Sequence, residues 1–247
     1  MKVITAPWGW YPDDINSKLN FDEFMSPASQ EALFVGISCT EEPFIINFLK
    51  NFKRKVYINL EHPCTLYGPT NKLGLSPIEQ QTLFDEVYTI CPYSAKWLND
   101  LELDTKFVAM PYPHNLVYDT FHNVEKKYDV AYCGLIHSDE IASYIEAIAD
   151  TDYFFSTITH YNRVDKVNHL ATHNNIPNLD KWGVLAQSKT AIIQNNLYLS
   201  SDQVETIKTL PRWKENEAFS HAETGLLPQL KSRTVETALC KSLMLVK

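Results

Sequence analysis

"YDVAYCGLIHSDEIASYIEAIADTDYFFSTI", residues 128–158, carries three signals in a row. Residues 128–136 form an apolar run rich in Tyr, Val and Ile, the composition of a strand packed on both faces. Residues 138–150 read as a helix, opened by a Ser or Asp cap and carrying acidic residues in its first turn, where the helix dipole favours them. Residues 152–158 return to an apolar, aromatic strand pattern. Strand, helix and strand in succession imply two parallel strands joined by a crossover helix.

The alternation extends in both directions. Downstream, residues 160–180 are rich in Asn, His and Asp and predict a loop with an irregular helix. Residues 181–188 then read as a helix, 190–195 as a strand, and 231–243 as a final helix running into a last apolar strand that ends at Val246. Upstream, apolar runs at 2–7, 31–38, 55–61, 86–92 and 106–112 alternate with helical patterns at 41–52, 76–85 and 94–101. Between the halves, residues 114–127 lapse into a polar stretch suited to an interdomain connection. The predicted fold is therefore α/β with two Rossmann-like doubly wound domains, 1–117 and 118–247.

Composition limits the function classes. The chain has 247 residues, 45% of them apolar, and a formal charge of -8. That acidic balance argues against a protein that neutralises a nucleic acid backbone, which needs clustered Lys and Arg. No run approaches the roughly 18 apolar residues of a membrane span, and the first residues lack the apolar core of a signal peptide, so a cytoplasmic protein is expected. Five scattered cysteines without a CxxC pair suit reduced thiols in the core. With 7 glycines and neither G-x-G-x-x-G nor a P-loop, any phosphate site has to be built differently.

Ligands in open parallel sheets bind beyond the C-terminal ends of the strands. There the sequence places Trp8, Gly9, Trp10 and Tyr11, then Glu61 and His62, Tyr93 and Ser94, and Pro113 and His114. Turn chemistry and packing are alternative reasons for each. At the other end of the chain, Lys231 and Arg233 open the last helix, with Glu236 about one turn on. A helix N-terminus with cations beside it suits a diphosphate, and a carboxylate one turn away suits a ribose diol. The same spacing also fits an amphipathic helix whose charges face water.

KSRTVETALCKSLMLV (231–246) resembles the "K-x-R-x-x-E, then small and apolar residues" signature of group 1 glycosyltransferases of the GT-B fold. YDVAYCGLIHSDEIASYIEAI (128–148) resembles the opening of that family's C-terminal domain, and VLAQSKTAIIQN (184–195) its "L-x-x-S-K-x-x-L-x-x-N" segment. FDEVYTICPYSAKWLND (84–100) and FVAMPYPHN (107–115) are similar to the end of the family's acceptor domain. The resemblance implies a transferase moving a sugar from a nucleotide-diphosphate-sugar donor to a carbohydrate or glycolipid acceptor, with no cofactor and no bound metal. Lys231 and Arg233 would hold the diphosphate, Glu236 the ribose, and Gly134 the turn where backbone passes close to the phosphates. If the enzyme inverts, a general base would come from the N-terminal domain, with Glu61, His62 and then His114 as candidates; Glu61 as a structural hydrogen-bond partner is the alternative.

Two departures stand out. The E-x7-E pattern of many retaining members needs Glu at 228, where Pro228 stands, and the glycine-rich N-terminal loop is missing. The family's C-terminal domain also continues with helices beyond this last strand, which implies a truncated second domain. Its apolar final strand would then be open to self-association. A nucleotide-sugar epimerase on the same fold and a non-catalytic sugar-nucleotide-binding module are the alternatives. A location at the membrane periphery fits a glycolipid acceptor. Asp150-Thr151-Asp152 reads as a turn rather than a metal-binding D-x-D, and His169 with His173 as a solvated loop rather than a metal pair.

Overall fold

The computed structural model describes residues 2–5, 30–36, 50–60, 81–109, 119–121, 123–209 and 225–246. The chain forms two compact units: residues 1–109 with 196–230, and residues 110–195 with 231–247. A single cut at 117/118 assigns 196–230 to the second unit, whereas packing groups them with the first. Apolar runs reveal elements but not which unit an element joins.

In the first unit, β1 (Lys2–Thr5), β2 (Glu31–Gly36), β3 (Arg54–Asn59), β4 (Glu86–Thr89) and β5 (Thr105–Phe107) form a parallel sheet. All five strands coincide with predicted apolar runs. Their order in the sheet is their order in the chain. Doubly wound sheets reverse direction at an internal strand, and the five described strands of this unit run in one direction without such a reversal. β3 is central, with Val56, Tyr57 and Ile58 buried. At its start Arg54 reaches Glu86 on β4 at 2.6 Å and Glu31 on β2 at 3.3 Å, a surface pairing of modest value. Helix α1 (Pro92–Asp100) begins with proline in its first turn and buries Trp97 and Leu98. It stops where Glu102 turns left-handed (φ 65°) and Leu103 N donates to Leu98 O, a Schellman end built without glycine. The remainder of the unit includes a short antiparallel ribbon, β10 (Asn196–Tyr198) with β11 (Leu226–Pro228), which lies among residues 196–230.

The second unit meets the doubly wound expectation. Its parallel sheet runs β12-β9-β6-β7-β8, where β6 is Tyr128–Cys133, β7 Tyr153–Thr157, β8 His173–Asn174, β9 Ser188–Ile193 and β12 Leu243–Val246. From β6 the chain steps outward to β7 and β8, then returns to the other side of β6 for β9 and β12. The reversal between β6 and β9 is a topological switch point, where adjacent strand ends open a crevice.

Alternation along the strands covers both faces, as parallel sheets require. Tyr132, Phe155 and Ile192 pack with Ile141, Ala142 and Ile145 of α2 (Asp139–Ile148). Ala191 and Ile193 pack with Trp182, Leu185 and Ala186 of α3 (Asn178–Gln187) and with Cys240, while Ala131, Cys133 and Phe154 gather Val184. α2 opens as expected: Ser138 Oγ accepts from Ile141 N at 3.3 Å, and Asp139 and Glu140 occupy the first turn.

The last helix, α5, is shorter than its pattern, Ser232–Leu239, with α4 (Ser201–Lys208) preceding it in the first unit. Lys241 adopts φ 54°, Lys241 N donates to Ala238 O and Ser242 N to Thr237 O, and this Schellman turn releases the chain into β12. β12 pairs with β9, leaving Leu243, Leu245 and Val246 more than half exposed. Lys126 ties this corner together by donating to Ala186 O (2.8 Å), Ser188 O (2.9 Å) and Lys241 O (3.2 Å). Burial lowers its pKa from the ordinary lysine value.

Among the described residues, no helix is long and apolar enough to cross a membrane. Cys91, Cys133 and Cys240 are buried free thiols; Cys39 and Cys64 lie outside the described residues.

Candidate anion-binding site at the strand switch

β6 ends at Cys133, and Gly134 follows. Its N–H continues the sheet ladder, donating to Ser156 O at 2.9 Å, so that amide is already engaged. What the glycine contributes is space: a Cβ at 134 would stand 2.3 Å from Arg233 Nη1 and 2.9 Å from its Cζ. The guanidinium therefore lies directly on the backbone at the end of β6, where a methyl group would displace it. The backbone at Gly134 is not in the left-handed region, so contact rather than conformation calls for glycine.

Arg233 reaches this place from the first turn of α5. Asn195, just past β9, anchors that turn: its Oδ1 accepts from Lys231 N at 3.3 Å and from Thr234 Oγ1 at 3.0 Å. Lys231 is the cap residue rather than a member of the helix, and makes no side-chain cap bond of its own.

An open pocket of about 220 Å³ lies at these strand ends. Cys133, Gly134 and Leu135 form one wall, and Ser156, Thr157 and Ile158 at the end of β7 another. Asn175 and Ile176 close it from β8, and Lys181 of α3 and Arg233 supply its cations. Asn175 is left-handed (φ 57°), a conformation asparagine tolerates better than most residues, and its N–H donates to Thr157 O.

The loop after β6 is held by Asn162, whose Oδ1 accepts from Ile136 N at 2.8 Å and Thr157 Oγ1 at 2.9 Å. Arg163 N in turn donates to Ile136 O at 2.9 Å, which brings Arg163 beside the next residue, His137. Burial, and then the charges of Lys231, Arg163 and Arg233, press the His137 pKa down from 6.5 to about 4. Lys231, Arg163 and Arg233 thus gather about the loop after β6, with the histidine neutral at pH 7. Burial pushes the Cys133 thiol up to about 11 despite Arg233 and Lys181 nearby, which makes it a wall and not a nucleophile.

Glu236 is 2% exposed, and its Oε1 accepts from Lys181 Nζ at 2.9 Å. Lys181, not Glu236, lines the pocket. Of the residues selected from sequence, Gly134 and Arg233 meet in this pocket; Lys231, the cap of α5, is not among its lining residues, and Glu236 is buried on Lys181. Glu61, His62 and His114 lie outside the described residues, as do Trp8, Gly9, Trp10, Tyr11 and Pro113. His169 sits in a 3-10 turn (Asn168–Leu170) and His173 on β8, stacked on Phe154 at 4.4 Å, so the two do not share a helix face. Asp150 and Asp152 flank the turn from α2 to β7.

Sequence reasoning missed Lys181, Arg163, His137 and Asn195. Asn195 had the clearest signal, an amide side chain two residues past a strand and thus at the switch point. Comparison with protein-family models, with curated proteins and with solved structures finds no match for this chain.

Proposed function

We propose that this chain is a glycosyltransferase of the GT-B type whose second α/β unit grips the diphosphate of a nucleotide-sugar donor. One observation carries the reading: Arg233 rests on Gly134 at the switch point of a parallel sheet, with Lys181 in the same pocket. A pocket with two cations and a helix start beside it favours a multiply charged oxyanion. In sugar transfer, an acceptor hydroxyl attacks the anomeric carbon, the bond from that carbon to the diphosphate oxygen breaks, and the proton passes to a base. Charge then accumulates on the departing diphosphate, where fixed cations stabilise it more than they stabilise the bound donor. Glu61, His62 and His114 are the candidates for the base.

Titration calorimetry with UDP, GDP and ADP tests binding, and donor turnover by the same preparation tests catalysis. Arg233→Ala should weaken nucleoside diphosphate binding by about 1.5 to 3 kcal/mol, the value of a charge-assisted hydrogen bond. Unchanged affinity in that variant would sink the proposal. Tight binding without turnover, over a panel of acceptors, would leave a binding module in its place.

A further inference from the structure

We infer that Lys181 is the second phosphate-binding cation of the pocket and that Glu236 is a positioning residue acting through it, not a ligand of the ribose. This rests on the reading of the pocket as a diphosphate site. Glu236 carries the residue type and spacing that suggest a sugar diol, yet its side chain is 3% exposed and Lys181 stands at 2.9 Å on its Oε1. The lysine side chain is itself only 13% exposed, and it is the one that lines the pocket.

The two roles follow from how each group hydrogen-bonds. An ammonium has three donors, so Lys181 can give one to Glu236 and keep others for a phosphate oxygen. A lysine side chain loses about 2 kcal/mol of rotamer freedom when it is fixed. A carboxylate behind it meets that cost before any ligand arrives, leaving Nζ pre-aimed for the anion. Arg233 has an analogous support in the bare backbone of Gly134. The two cations approach the pocket from different helices, α3 and α5, one braced by a carboxylate and the other by the absence of a side chain.

The test is a double-mutant cycle read as affinity for inorganic pyrophosphate, which has no ribose, with UDP measured beside it. Lys181→Met should weaken pyrophosphate binding about ten- to a hundredfold. Glu236→Gln, which keeps an acceptor but loses the charge, should weaken pyrophosphate and UDP by the same factor, about three- to tenfold. The double variant should bind no worse than Lys181→Met, because Glu236 then has nothing to aim. If Lys181→Met leaves an uncompensated buried carboxylate and does not fold, the double variant, which removes both charges, is compared directly with the wild type.

The inference is overturned if Lys181→Met, or the folded double variant, binds pyrophosphate as tightly as the wild type. It is also overturned if Glu236→Gln loses UDP affinity while keeping that for pyrophosphate, the signature of a ribose ligand, or if the single losses add. The cycle judges Lys181 and Glu236 alone. A sugar-transfer assay on the wild type judges the enzyme reading, so a positive cycle without transfer removes the transferase and keeps the cation.

Discussion

Gly134→Ala changes one hydrogen to a methyl group, and the structure fixes what that methyl meets. It would lie 2.3 Å from Arg233 Nη1. Ordinary contact begins near 3.4 Å, so the guanidinium must withdraw by about 1 Å, enough to break the alignment of a hydrogen bond it makes to a bound anion. The obstacle is the far end of a flexible side chain and Gly134 is not left-handed, so folding stability should change by less than about 1 kcal/mol. Affinity for a nucleoside diphosphate should fall by about 1.5 to 3 kcal/mol, the same range as for loss of the arginine. Calorimetric titration with UDP, GDP and ADP, beside a thermal melt, measures both quantities. In Gly134→Ala/Arg233→Ala the losses should not add, because the methyl acts only through the guanidinium. Wild-type affinity in the alanine variant, additive losses, or a large drop in stability would each refute this account of the glycine.

Two other expectations follow from groups around the same sheet. His137 has a native pKa of about 4 against an ordinary 6.5, so on acidification the unfolded chain takes up the proton first. The stability it supports is complete above pH 6.5 and is lost as pH falls toward 4, by about 1 to 2 kcal/mol once partial exposure is discounted; urea melts at pH 7 and 4.5 should reveal the loss, and His137→Asn should reduce it. Lys126→Met removes the donor shared by Ala186 O, Ser188 O and Lys241 O, and should lower stability by about 2 to 4 kcal/mol in denaturant titrations, with no added effect on pyrophosphate affinity in the folded protein.

Strand existence was legible because packing on both faces forces apolar runs such as 55–61 and 128–136, and both contain strands, β3 and β6. Strand order was not, since the same kind of run serves an edge or a centre. The sheet of the second unit follows the doubly wound order, whereas the described strands of the first run in chain order. α5 could be placed from its pattern, but its end could not: Lys241 supplies a left-handed turn usually marked by glycine. The meeting of Gly134 and Arg233 was legible as a glycine at a strand end and a cation at a helix start. Lys181 was hidden because a lysine in a helix is ordinarily a solvent-facing residue, and only tertiary packing brings it onto Glu236. Glu236 was noticed for its spacing, which does not encode that its buried carboxylate accepts from Lys181.

Residues 196–230 group with the first unit although the chain before and after them belongs to the second. No single scission can therefore free either half with its chain whole: a fragment ending at Asn195 forfeits Arg233, Glu236 and the strand that lies on β9. The point of departure and the point of return are nonetheless neighbours, with Lys231 N on Asn195 Oδ1 at 3.3 Å. A link of a few glycines between Asn195 and Lys231 would therefore join residues 110–195 and 231–247 into one unbroken chain carrying every pocket residue.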